Sequence, residues 1–211
     1  MKISPESILA AAWTCFARYG YKRVALEQIA QEAGISRAAL YLHFRNKEAI
    51  FRALSRQLHD QMQDAAERAA ERTGPLEVRL EAILSAKLGQ LFELVIASPH
   101  AAEILDENSR LCGDVSEEFR KRFLRVLRAP IAEADASGEI DLRAAGLEPA
   151  EAAELLLDSA KGLERPGFSG SPVRHRRRLA RLASVFAQGL RPAAAPRAAP
   201  RARPRKRAAA R

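Results

Sequence analysis

The chain has 211 residues, of which 47% are hydrophobic and 29% charged, and carries a formal net charge of +9. That length accommodates one large or two modest domains, and a composition rich in Ala and Leu with few aromatics suits packed helices. Runs of alternating Val, Ile and Thr are absent, no continuous apolar stretch is long enough to cross a bilayer, and the N-terminus lacks a signal-peptide pattern; an all-α, cytoplasmic protein without membrane contact is expected.

The first helix is predicted to start at Ser4-Pro5, with Ser as cap and Pro in the first turn, and to end at Gly20. Its inward stripe is Ile8, Leu9, Ala12, Trp13 and Phe16. Residues 26 to 47, LEQIAQEAGISRAALYLHFRNK, follow with the pattern of a helix-turn-helix. A helix from about Leu26 to Ala33 turns Ile29 and Ala33 inward and places the small Ala30 at the helix crossing. Gly34 supplies the left-handed turn residue. Ser36 caps a second helix whose Leu40 and Phe44 close a small core. Arg37, Ala38, Tyr41, Leu42 and His43 are left on outer faces. In such a motif the start of the second helix enters the major groove, where Arg37 meets base edges. A plain helical hairpin has a similar pattern, and the preceding amphipathic helix is what favours a DNA-binding three-helix unit.

These residues resemble the tetracycline-repressor (TetR) family of bacterial transcription regulators. The resemblance runs through FARYGY at Phe16 to Tyr21, Ile29-Ala30, AGIS at Ala33 to Ser36, LYLHF at Leu40 to Phe44 and NKEAIF at Asn46 to Phe51, about a quarter of the chain in the family's order and spacing. It implies that Tyr41 and Lys47 hold DNA phosphates, that His43 lies at the backbone or a base edge, and that Arg37, Ala38, Ala39 and Leu42 face the groove. Three places depart from the family pattern. Ala25 stands where a Thr usually caps the first motif helix and touches a phosphate, Ala38-Ala39 replace the common Gly-Thr, and Leu42 replaces a residue that is often polar. The reading face is therefore apolar apart from Arg37, which suits thymine methyl contacts and shape readout better than bidentate purine contacts.

Beyond the motif, a long helix is predicted from Asn46 to about Arg72, a strongly apolar one from Leu76 to Ala97, another from Pro99 toward the 108–113 break, and one from Val115 to Ala136 that Pro130 should kink or divide. Residues 149–164 and 172–190 present apolar stripes at helical spacing and are the candidate dimer seam, with Leu156, Leu157, Ala160, Leu163, Leu179, Leu182 and Phe186 in the interface; packing within one subunit is the alternative. The resemblance implies a homodimer joined through the last two helices and reading a near-palindromic double-stranded operator. It also implies an unidentified small-molecule effector held by the middle helices. The expected pocket draws walls from Leu88, Leu91, Phe92, Val95, Phe119 and Phe123, with His100, Asn108, Arg110 and Cys112 as polar punctuation.

The predicted organisation is a helix-turn-helix DNA-binding domain at 1–47, a helical ligand-binding and dimerisation domain at 48–190, and a disordered basic Pro/Ala/Arg tail at 191–211, with about nine helices in all. The tail holds seven Arg, one Lys and no acid, so the rest of the chain is close to neutral. It reads equally as a solubilising segment or as a DNA arm.

A repressor released from its operator by a small effector is the expected function, and its sign follows from the family habit. A non-specific architectural DNA-binding protein is the first alternative, and a thiol-responsive regulator using Cys112 the second. Cys15 and Cys112, far apart and without ligand spacing, read as reduced thiols. The four His, at positions 43, 59, 100 and 175, show no metal-ligand spacing and no nucleophile motif, so no catalytic activity, metal or cofactor is expected.

Overall fold

A computed structural model describes residues 4–89, 98–164 and 171–192, and within these every regular element is helical. Helix α1 (Pro5–Tyr19) begins where Ser4 Oγ accepts the Ser7 N–H at 3.3 Å, and it stops at Gly20, whose φ of 81° is left-handed. Helices α2 (Leu26–Glu32) and α3 (Arg37–His43) follow, and α4 (Lys47–Ala70) starts at an Asn46 cap whose Oδ1 accepts the Ala49 N–H at 2.7 Å. Helix α5 (Leu76–Leu84) loosens into a π turn over Ser85–Gly89, whereas the sequence suggests one helix to Ala97; residues 90–97 lie outside the described residues. Helices α6 (Ala101–Leu111), α7 (Gly113–Ala136), α8 (Pro149–Lys161) and α9 (Pro172–Gly189) complete the described chain.

Pro130 does not divide α7, contrary to one of the two expected outcomes. Its ring is buried between the fully buried Leu127 and Ile131, whose packing carries the helix through the backbone bond that proline cannot make.

Two apolar cores stack along α4. The larger joins the second half of α4 to α5, α7, α8 and α9 through residues such as Met62, Leu80, Ile83, Phe123, Leu127, Leu156 and Leu179. Each fully buried Leu or Phe there stabilises the fold by roughly 2 kcal/mol. The smaller core fills the space among α1, α2, α3 and the first turns of α4, with Phe16, Tyr21 and Phe51 in edge and tilted ring contacts at 4.9–5.6 Å. That head does not close on itself. Ile104 and Leu111 of α6, Val115 of α7 and Cys112 between the two helices all belong to its core.

Polar links fasten the same seam. Glu103 accepts the Lys22 backbone N–H at 2.7 Å, Ser98 Oγ donates to the Ala17 carbonyl at 2.8 Å, and Arg52 grips Asp114 with bonds of 2.6 and 3.0 Å while also donating to the Leu111 carbonyl. A Cβ on residue 20 would meet the movable carboxylate of Glu103, so it is the positive φ that calls for glycine there.

Candidate nucleic-acid interface and ligand cavity

The turn between α2 and α3 is built as its residues dictate. Gly34 takes φ 68°, the Ile35 N–H bonds back to the Ala30 carbonyl at 2.9 Å, and Ser36 Oγ accepts the Ala39 N–H at 3.1 Å to start α3. Ala25 offers no side-chain cap, but Gln28 Oε1 accepts the Ala25 N–H at 2.8 Å, so half of a capping box is retained. Leu40 is fully buried and Phe44 packs against the same core, which turns the opposite face of α3 to solvent.

On that face Arg37, Ala38, Tyr41, Leu42 and His43 are exposed and Ala39 is half-buried; Leu42, 86% exposed, is the most exposed large apolar side chain among the described residues. Arg37 is already engaged. Its guanidinium reaches Glu27 on α2 at 2.5 Å and donates to Tyr41 Oη at 3.2 Å, lying 5.5 Å above the Tyr41 ring. Exposed ion pairs of this kind are worth only about 0–1 kcal/mol, so a base or phosphate can displace Glu27 cheaply. Glu27 is a component that pattern reading missed, because a carboxylate one helix away has no fixed spacing to the recognition helix.

Lys47, expected at a phosphate, is engaged within the head when no DNA is present. Its ammonium donates to the carbonyls of Tyr21, Lys22 and Val24 at 2.8, 3.2 and 2.9 Å and sits 4.5 Å from the Tyr21 ring centroid. All three of its protons are spent on the loop between α1 and α2. Burial pulls its pKa below the usual lysine value despite Glu107 and Glu103 nearby. The geometry favours a clamp that shapes the head over a free phosphate anchor.

The expected effector pocket is redistributed. Leu91, Phe92 and Val95 lie outside the described residues. Leu88, Cys112, Phe119 and Phe123 are buried in close packing, Arg110 is a surface residue paired with Glu107 at 2.7 Å, and His100 stands 3.8 Å from Glu103 at the start of α6. Of the seven expected pocket residues that are described, only Asn108 lines a largely apolar cavity, of ≈ 70 Å³, between α1, α4 and α6. Trp13, Leu58, His59 and Met62 help to line it, and none was anticipated as a pocket residue because each reads as core at helical spacing. The roomier hollows are charged grooves, such as the ≈ 710 Å³ one flanked by Arg68, Arg72, Glu81 and Arg176. Cys112 is fully buried and burial raises its thiol pKa, the reverse of what a reactive thiolate needs.

Of the expected seam residues, Leu156, Leu157, Ala160 and Leu179 are 0% exposed inside one chain, and Leu163, Leu182 and Phe186 are partly buried against the same core. An apolar stripe shows which face is buried and not whose surface buries it. Exposed instead are Leu155 on α8 and Val173 and Val185 on α9, at 54%, 73% and 70%. Around them α8 is acidic, with Glu151, Glu154 and Asp158, and α9 is basic, with Arg174, Arg177 and Arg181.

A capped helix-turn-helix with its second helix turned to solvent is thus seated on a second helical layer. Residues 8–54 match the model for bacterial regulatory proteins of the tetR family. It is 45% identical over 51 residues to an HTH-type transcriptional repressor of Mycobacterium tuberculosis, a stretch that is 24% of this chain and 27% of that one. The match thus spans about a quarter of that relative's length. Whole-chain likeness comes from solved structures. A transcriptional regulator from Cytophaga hutchinsonii superposes with a TM-score of 0.72 at 17% identity, covering 89% of this chain and 98% of that one. The regulator FadR of Bacillus subtilis, solved in complex with stearoyl-CoA, gives 0.66 at 20% identity, with coverage of 89% and 100%. At such identities the likeness establishes the fold.

Proposed function

We propose that the protein is a homodimeric, sequence-specific transcriptional repressor that a small effector releases from its operator. The observation that carries this reading is the outer face of α3, where Arg37, Tyr41, Leu42 and His43 stand in solvent on a helix whose other side is locked by the Ser36 cap and the buried Leu40. A helix so held can enter a major groove without remodelling the head. Arg37 then reads a base edge after exchanging Glu27, Tyr41 and His43 meet the backbone, and Ala38, Ala39 and Leu42 supply apolar contacts.

Two heads are needed for a near-palindromic site, and the exposed Leu155, Val173 and Val185 on the last two helices supply the apolar part of a two-fold seam. Charge supports the same pairing, since an acidic α8 face meets a basic α9 face when two copies pack. The stearoyl-CoA complex of a structure with this fold supports a small-molecule effector. The test is capture of genomic fragments by the purified protein followed by sequencing. Enrichment of a short near-palindrome is expected, and equal retention of unrelated duplexes at physiological salt refutes the reading.

A further inference from the structure

The cavity between α1, α4 and α6 is built for one kind of occupant. Its polar lining consists of Ser55, His59 and Asn108, with no charged side chain among the lining residues, and its walls include Trp13, Phe51, Leu58 and Met62. The three polar groups belong to one directed chain of hydrogen bonds. Ser55 Oγ donates to Asn108 Oδ1 at 2.7 Å, Asn108 Nδ2 donates to Ser116 Oγ at 3.4 Å, and Ser116 Oγ lies 3.5 Å from His59 Nε2. Ser116 Oγ and His59 Nε2 hold one hydrogen bond in either tautomer, so Nδ1 is the ring nitrogen left without a partner.

That ring is held neutral. Burial first, and the Lys87 charge second, push the His59 pKa down to about 4. Its face stacks on Phe119 at 4.5 Å, and the Lys87 ammonium lies 4.6 Å from the Phe119 centroid. His59 Nδ1 is buried and has no partner. A hydroxyl group complements it in either tautomer, since it can donate to a bare nitrogen or accept from an N–H.

We propose that this cavity binds an uncharged, ring-sized apolar molecule bearing a hydroxyl group, and that its entry prises α1 away from α4. The inference rests on the reading of the protein as an effector-released repressor and names the chemistry of the effector. Charge is disfavoured by the lining, where no side chain is charged and an ion would lose its hydration. Size supplies the lever. A cavity of roughly 150 Å³ accommodates benzene, and this one offers ≈ 70 Å³. A ring enters only when Met62, an unbranched and adaptable side chain, and Trp13 of α1 give way. The ligand therefore prefers the displaced arrangement of α1, and only such a difference in affinity can shift the head.

Trp13 is the sole tryptophan of the chain, so its fluorescence reports occupancy directly. The intact protein is titrated with cyclohexanol, with methylcyclohexane as the same shape without the hydroxyl, and with cyclohexanecarboxylate as the anion. Cyclohexanol is expected to saturate and to bind about tenfold or more tightly than methylcyclohexane, with no saturation by the carboxylate. His59→Phe keeps a ring to stack on Phe119 and is expected to erase the alcohol's advantage. Equal affinity for alcohol and hydrocarbon, tighter binding of the carboxylate, an advantage that survives His59→Phe, or silence with all three probes overturns the proposal. Operator affinity is measured on the same samples with and without cyclohexanol, and weakening is expected. Cyclohexanol binding that leaves operator affinity unchanged overturns the prising of α1. A ligand-free protein that retains no operator sinks the repressor reading whatever Trp13 reports, whereas operator binding with a silent Trp13 sinks the ligand site alone.

Discussion

Replacing Lys47 with Met separates two roles that the sequence cannot distinguish. The ammonium makes three hydrogen bonds to the Tyr21, Lys22 and Val24 carbonyls, and Tyr21 and Val24 are themselves buried. Hydrogen bonds to a charged group contribute about 1.5–3 kcal/mol each when counted singly. One ammonium shared three ways earns less than the sum, because its desolvation, visible in the lowered pKa, offsets part of the gain. The Lys22 carbonyl, on an exposed residue, regains water in the variant. About 2–3 kcal/mol of destabilisation is left, a large share of the 5–15 kcal/mol typical of a domain. Urea unfolding followed by circular dichroism measures it as a lower midpoint with unchanged slope. DNA affinity is then read at a temperature where both proteins are folded, as a function of salt. The clamp reading expects nearly unchanged affinity per folded molecule and an unchanged salt slope. Unaltered stability together with a slope reduced by about one counterion per head would show that Lys47 is a phosphate anchor after all.

Arg37→Ala is expected to weaken operator binding by ~1–3 kcal/mol and to relax preference at one base pair per half-site, measured by competition among single-base operator variants; a retained preference removes Arg37 from readout. Val185→Asp changes a side chain 70% exposed in the single chain, so it should preserve helicity yet yield monomers in sedimentation, and an intact dimer would place the seam elsewhere. Stability should fall as pH drops from 6.5 toward 4, because His59 has its folded pKa depressed to about 4. Its contribution, at most roughly 3 kcal/mol, is complete above the unfolded value and lost as the folded value is approached. The difference between wild type and His59→Phe isolates it from Asp114, whose pKa of about 2 acts at lower pH, and parallel curves refute the assignment. Deleting residues 193–211 leaves the Arg191–Glu77 bridge at 3.0 Å in place and should flatten the salt dependence of DNA binding if the tail is an arm, while operator preference persists.

What the sequence made legible was local. Ser4, Ser36 and Asn46 announce helix starts because each needs only its own oxygen and a backbone N–H three residues on. Gly20 and Gly34 announce turns for an equally local reason. The exposed face of α3 followed from one buried residue, Leu40, and the helical period. What remained hidden depends on pairs far apart in the chain. Lys47 lies 23 to 26 residues from the carbonyls it holds, and His59 acquires its role only when α7 brings Ser116 and Phe119 against α4. Whose surface covers an apolar stripe is not written in it either, because Leu156 and Leu179 have the same helical spacing whether they meet α5 and α7 or a second chain.

The way the head shares its core has an engineering consequence. Heads of this type invite transplantation, with one regulator's reading helix joined to another's sensing half at a point within the first turns of α4. Here such a cut would strip Phe16, Tyr21 and Phe51 of Ile104, Leu111 and Val115, and leave Lys22 without Glu103. A grafted 1–54 segment would present that bare apolar wall to water and aggregate or fray. A chimera that works must carry α6 and the first turn of α7 along with the head, although they lie some fifty residues downstream. The natural unit of exchange in this protein is therefore discontinuous in sequence.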